Sequence, residues 1–169
     1  FGDTLALTTV VLSNVTFASF TIKKQAHPPT LTGKNVVIKS ITFDVSDKDS
    51  TITLTDSEIV DTSFGGTLTL HNSTLKQSQV ETVVCDKCVV ENSKVTTLTV
   101  EESTAFHVAI SLSKLINYGN VTTDTTSVIE VLENKATGIF TPSTQDVNSF
   151  NNEGVINIPS FLTLLVQNT

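Results

Sequence analysis

The sequence has no arginine, no tryptophan, no methionine and a single tyrosine. Its ten basic residues are therefore all lysines, set against 17 Asp and Glu for a formal charge of −7. The planar guanidinium fork that grips phosphate or carboxylate in two places is missing. A phosphate backbone would also meet a net negative surface, so nucleic acid is not an expected partner. With no Trp and one Tyr, little is left on which to stack a sugar ring. No apolar run approaches the length of about 18 residues that a membrane-spanning helix needs, so no span is expected in this segment. The chain opens at Phe1 without Met or a basic leader. It is read as one piece of a longer protein. Asn-Gly and Asp-Gly, the strongest two-residue hairpin signals, never occur.

What is present is a β-rich, hydroxyl-rich chain. Seventeen Ser and 29 Thr make up over a quarter of the 169 residues, enough for one domain spanning 1–169. A charged fraction of 16 % is too low for a disordered tail. Helical periodicity is almost absent. Alternation with period two recurs in β-branched residues, as in Thr51-Ile52-Thr53-Leu54-Thr55, Thr67-Leu68-Thr69-Leu70 and Thr97-Leu98-Thr99-Val100. Residues Thr104 to Asn117 also alternate, and are predicted as strand.

Many short strands without hairpin turns point to a chain that coils in one direction. Internal similarity agrees. Thr67 to Leu75 aligns with Thr51 to Ile59 with every apolar position in register. Cut at 16 residues, the middle reads Asn35–Ser50, Thr51–Gly66 and Thr67–Thr82, followed by a shorter Val83–Thr97. Val90-Glu91-Asn92-Ser93-Lys94-Val95 resembles Leu70-His71-Asn72-Ser73-Thr74-Leu75 twenty residues earlier. A second motif joins Asn and Gly at Asn117–Gly119, Asn134–Gly138 and Asn152–Gly154. The expected fold is all-β: a right-handed parallel β-helix, or β-solenoid, with coils of about 16–22 residues. The alternative is an antiparallel β-sandwich.

These strand-corner repeats, with Asn152-Glu153-Gly154-Val155-Ile156-Asn157-Ile158 and Phe64-Gly65-Gly66-Thr67-Leu68-Thr69-Leu70, resemble the parallel β-helical regions of large surface proteins. Filamentous adhesins, autotransporter passenger domains and β-helical surface proteins of protists share that texture, which overlaps the pectate-lyase-like superfold. The resemblance covers about residues 35–158 and carries over no functional residue.

Cys85-Asp86-Lys87-Cys88 is the one motif with chemistry of its own. Structural zinc needs four ligands, and His27, His71 and His107 are scattered singly. A redox pair wants a helix N-terminus, and none is predicted. A disulfide at a coil corner or two stacked buried thiols both fit. The disulfide requires Asp86-Lys87 to turn, because residues i and i+3 of a regular strand face opposite ways. Asn14, Asn72 and Asn120 head glycosylation sequons, at a number chance alone supplies.

Asp44, Asp47, Asp49, Asp56 and Asp61 cluster, and Glu101-Glu102 are adjacent. They read as solvated corners. A polysaccharide lyase or hydrolase would need such acids focused on one face, with calcium or as an acid/base pair. The calcium-loop pattern fails over 44–49 because its Gly and closing Glu are missing. Six Thr-x-Thr pairs (30/32, 51/53, 53/55, 67/69, 97/99, 123/125) match the chance count, and their irregular spacing predicts no flat, ice-binding array.

The function expected from the sequence is a non-catalytic structural or adhesive segment of a secreted or cell-surface repeat protein. It would need no metal or cofactor and would present loops to glycans or surface proteins. A carbohydrate-active β-helix enzyme is the alternative.

Overall fold

The computed structural model of the chain describes residues 9–18, 21–22, 30–43, 49–101, 105–123, 128–142 and 147–157. Strand is the only regular structure among them. The first coil contributes β1 (Thr9–Ser13), β2 (Thr16–Ala18) and β3 (Thr21–Ile22), and the second β4 (Thr30–Lys34), β5 (Val37–Lys39) and β6 (Thr42–Phe43). The third opens with β7 (Thr51–Thr55) and β8 (Glu58–Val60). From there β10 (Thr74–Lys76) forms one side alone, β9 (Ser63–His71) and β11 (Gln79–Asp86) bend around a corner to serve two sides, and β12 (Val89–Val100) and β13 (Ala105–Asn117) run along all three. The last coils hold β14 (Asn120–Thr123), β15 (Val128–Asn134), β16 (Ile139–Thr141), β17 (Val147–Asn152) and β18 (Val155–Ile156).

Every pairing between these strands is parallel, and each joins a strand to its counterpart one coil away. The chain is thus a β-solenoid of about seven turns, the parallel β-helix expected and not the antiparallel sandwich. Each coil has three sides. The first side runs β1, β4, β7 and then the C-terminal parts of β9, β11, β12, β13, β15 and β17.

Alternation sends one set of side chains inward. On the first side Ile52, Leu68, Val83, Leu98, Leu115 and Leu132 stack in a single fully buried column. Ile38, Ile59, Leu75 and Val90 do the same behind the second side, and Phe64, Val80 and Val95 behind the third. Each buried aliphatic side chain withdraws apolar surface worth about 2 kcal/mol.

The difference in length between the second and third coils arises at one corner. Thr9 pairs with Thr30 and Thr30 with Thr51, a step of 21 residues; Thr51 pairs with Thr67, a step of 16. Residues 44–50 link β6 to β7, whereas Gly65 and Gly66 alone turn the equivalent corner inside β9. A side chain at Gly66 would run into the backbone oxygen of Ser50. The 16-residue frame beginning at Asn35 is therefore wrong, since Asn35 belongs to a coil of 21. The frame at Thr51–Gly66 holds.

The other two corners turn through residues with positive φ. Asn14, Asn35, Asp56, Asn72 and Lys87 form one corner column, with φ between 47° and 53°. Ser40, Asp61, Gln77 and Asn92 form the second, with φ between 49° and 52°. Asn and Asp tolerate this left-handed conformation because their short polar side chains satisfy local backbone. The match between residues 90–95 and 70–75 has this origin. Asn92 and Asn72 sit on different corners, and Val90 stacks on Leu75 rather than on Leu70. The shared sequence marks a kind of corner, not a place in the coil. The predicted strand 161–166, His27, Asp44, Asp47 and Glu102 lie outside the described residues.

Candidate functional site

The polar groups of the solenoid are organised along its length. The residue after each left-handed corner points inward, and serines there build a hydroxyl ladder. Ser57 Oγ accepts from the backbone N–H of Val36 at 3.0 Å, and Ser73 Oγ from that of Ser57 at 3.0 Å. On the second corner Ser78 Oγ accepts from Thr62 N–H and Ser93 Oγ from Ser78 N–H, both at 3.1 Å. Each of these serines also donates to the carbonyl two residues before it. Each of these four hydroxyls is thereby satisfied twice, once as acceptor and once as donor.

Cys88 occupies the next rung below Ser73, and Cys85 lies under Leu70 on the first side. Both are buried, their Cα atoms lie 5.8 Å apart, and they are joined as a disulfide across Lys87. The left-handed φ of 53° at Lys87 is the turn that lets residues i and i+3 both face inward. Lysine lacks the short amide that suits asparagine to this conformation, which costs an ordinary residue about 1–2 kcal/mol. A covalent link spans the corner where the side chain suits it least.

In the C-terminal coils the corner chemistry changes. Asn117 and Asn134 replace the apolar column below Val100 and are completely buried. Asn117 Nδ2 donates to Asn134 Oδ1 at 2.8 Å, and Asn134 Nδ2 to Asn152 Oδ1 at 2.8 Å. The same amides donate to the corner carbonyls of Ile139, Gly138 and Val155, and Asn117 Oδ1 accepts from Gly119 N–H at 3.0 Å. The Asn–Gly motif visible in the sequence is this ladder, whose role only the stacking reveals.

Outside, Glu133 receives Lys114 at 2.6 Å and Lys135 at 2.9 Å. The hydrogen bond from Lys114, then that from Lys135, holds the Glu133 carboxyl below its usual 4.5. The bond to Glu133 raises the Lys135 ammonium above its usual 10.5. A depressed carboxylate contributes stability that is present above pH 4.5 and lost as pH falls through the folded value. The raised lysine contributes below pH 10.5 and loses its share as pH rises further. Glu133→Gln is expected to lower stability by less than about 1 kcal/mol at neutral pH, because the groups are partly exposed. Urea midpoints of variant and parent should converge as the solution is acidified below pH 4.5.

The remaining sequence candidates do not converge. Asp56 and Asp61 sit on different corners, Asp49 and Glu101 are exposed, and among the described residues no three His, Cys, Asp or Glu are grouped to hold a metal ion. His71 Nδ1 lies 3.6 Å from Asp86 Oδ2, directly above it in the stack. Asn14 and Asn72 are exposed members of one corner column, and exposed Asn120 follows that same corner at the start of β14. The side-chain amide of Asn72 donates to Asp56 Oδ1 at 2.6 Å, and Asn14 Oδ1 accepts from Asn35 Nδ2 at 3.1 Å.

The outward positions of the first side hold what the sequence count concealed. Thr30, Thr51, Thr67, Thr82 and Thr97 stack in register as one column. Beside it run Thr32, Thr53, Thr69, Val84 and Thr99. The irregular spacing of the Thr-x-Thr pairs was expected to prevent such ranks. It does not, because the differences in coil length are taken up at corners.

No family model matches this chain, and neither the curated proteins nor the solved structures include one with significant similarity to it.

Proposed function

We propose that this chain is a non-catalytic structural and adhesive segment of a secreted or cell-surface protein, making many weak contacts along a rod. The observation that carries the reading is the direction in which its polar groups pair. Asn14 with Asn35, Ser40 with Asp61, Asp56 with Asn72 and Lys76 with Glu91 each join one coil to the next. Side chains committed to the stack hold a scaffold rigid and leave its outward ranks to repeat. A catalytic site has the opposite geometry, with unlike groups focused on one reacting atom. Net charge −7 and a surface of Thr, Ser and Asn support solubility and contact with neutral polar partners. Asn14 and Asn72 lie along one edge and Asn120 heads a strand beside it, so carbohydrate there would leave the first side clear. Ligands of this rod are glycans or other surface proteins.

A glycan array paired with a polysaccharide-degradation screen on the purified chain tests the reading. Retention of one or more glycans without turnover is the expected result. Depolymerisation of any polysaccharide would overturn it in favour of a carbohydrate-active enzyme.

A further inference from the structure

The threonine ranks of the first side are confined to that side. The first-side strands present three outward columns: over five successive coils the first two hold nine Thr and Val84, which has nearly the same shape, and the third, beside the corner, holds Lys34, Thr55, His71 and Asp86. Strand propensity favours threonine wherever a β-surface is half exposed, and would load every side alike. The second side instead mixes its outward positions, with Val37, Glu58, Thr74 and Val89 in one column and Lys39, Val60, Lys76 and Glu91 in the other. Something particular to the first side therefore accounts for its composition.

The array has a fixed two-dimensional period. Neighbouring coils place equivalent residues about 4.8 Å apart, and residues i and i+2 along a strand lie roughly 6.6 Å apart. β-Branching limits each χ1, so methyl and hydroxyl stand in repeated places. Thr51 Oγ1 donates across the coils to Thr30 Oγ1 at 3.4 Å. Among the described residues, no protein group bonds the hydroxyls of Thr53, Thr67, Thr69, Thr82 or Thr97, which are left to solvent. No charge interrupts the two columns between Thr30 and Thr99; Lys114 and Glu133 appear only in the coils beyond. These two columns, periodic and without a charge or an aromatic ring of their own, offer little to an ionic ligand and no stacking face to a sugar.

Its chemistry suits a partner that is itself a lattice of hydrogen-bonding oxygens. Both repeats lie close to those of oxygen atoms on the surface planes of hexagonal ice. We propose that this face orders water in the ice register and adsorbs the protein to ice, the hydroxyls anchoring water and the methyl groups filling the spaces between. This goes beyond adhesion to glycans and does not rest on it.

The test is uptake of the purified chain into a slowly growing ice hemisphere, together with thermal hysteresis. The parent is expected to enter the ice and to halt growth at its surface. Thr69→Lys, in the middle of the ranks and pointing outward, is expected to abolish both. Thr74→Lys, on the second side of the adjoining coil strand, is expected to leave both unchanged. Matching circular dichroism and urea midpoints establish that each variant is folded, and Thr69→Val, which keeps the shape, is expected to retain most of the activity. Exclusion of the parent from ice, or equal loss in the two lysine variants, would overturn the proposal. Binding of the parent to a crystalline polysaccharide that Thr69→Lys removes, with exclusion from ice, would overturn it in favour of a glycan-binding face and leave the adhesive reading standing.

Discussion

Asn134→Ala is expected to destabilise the C-terminal coils by about 4 kcal/mol, from the loss of four hydrogen bonds and the opening of a cavity. The side chain is fully buried, accepts from Asn117 Nδ2, and shares its two amide protons among Gly138 O, Asn152 Oδ1 and Val155 O. Asn134→Leu restores the volume but none of the bonds, and is expected to do little better. Stability in a solenoid is local, since each coil contacts only its neighbours. Hydrogen exchange should therefore lose protection over residues 114–157 while residues 51–100 keep theirs. Uniform loss of protection along the chain would show that the coils unfold as one unit and that the Asn ladder is not a local clamp.

Gly138→Ala is expected to cost about 3 kcal/mol, at the upper end of the range for overpacking. A Cβ on Gly138 would collide with the backbone oxygen of Asn117 and with Asn134 Oδ1. A flexible side chain could swing aside, but a backbone oxygen fixed in the ladder cannot. Gly138 has no positive φ, so its requirement is space and not conformational freedom. The double variant with Asn134→Ala should fall short of the sum of the two losses, because removing the amide frees part of the room the methyl needs. Urea denaturation of the four proteins of the cycle measures that shortfall.

The fold was legible because period-two alternation and the absence of hairpin turns are local signals. The register of Thr51–Ile59 with Thr67–Leu75 could be read directly, and the structure pairs those residues as aligned. Coils of 21 residues lay within the expected 16–22, but the frame at Asn35–Ser50 missed one of them because its added length lies in residues 44–50 and does not disturb the strands around it. Asn92 was matched to Asn72 because both answer the same demand for a left-handed corner. The threonine ranks were hidden for a different reason. A count of Thr-x-Thr pairs weighs all positions equally, whereas register gathers 30/32, 51/53, 67/69 and 97/99 on one side. Thr82 belongs to no such pair and still stands in the column. The buried asparagines were seen as a motif with glycine, but nothing along a single chain says that an amide will find another amide one coil below it.

The short step between paired strands bears on how the chain reaches its structure. Parallel sheets ordinarily form slowly, because distant segments must meet before any contact rewards them. Among the described residues no partner is further than 21 residues along the chain, as Thr9 with Thr30, and most are 15 to 18 away. Closing each such loop costs almost the same entropy, since that cost grows only with the logarithm of length. One formed coil then offers its successor a complete template of strand edge, apolar column and corner. Assembly can run along the axis as a zipper, at a pace set by the first pair of coils and nearly indifferent to how many follow.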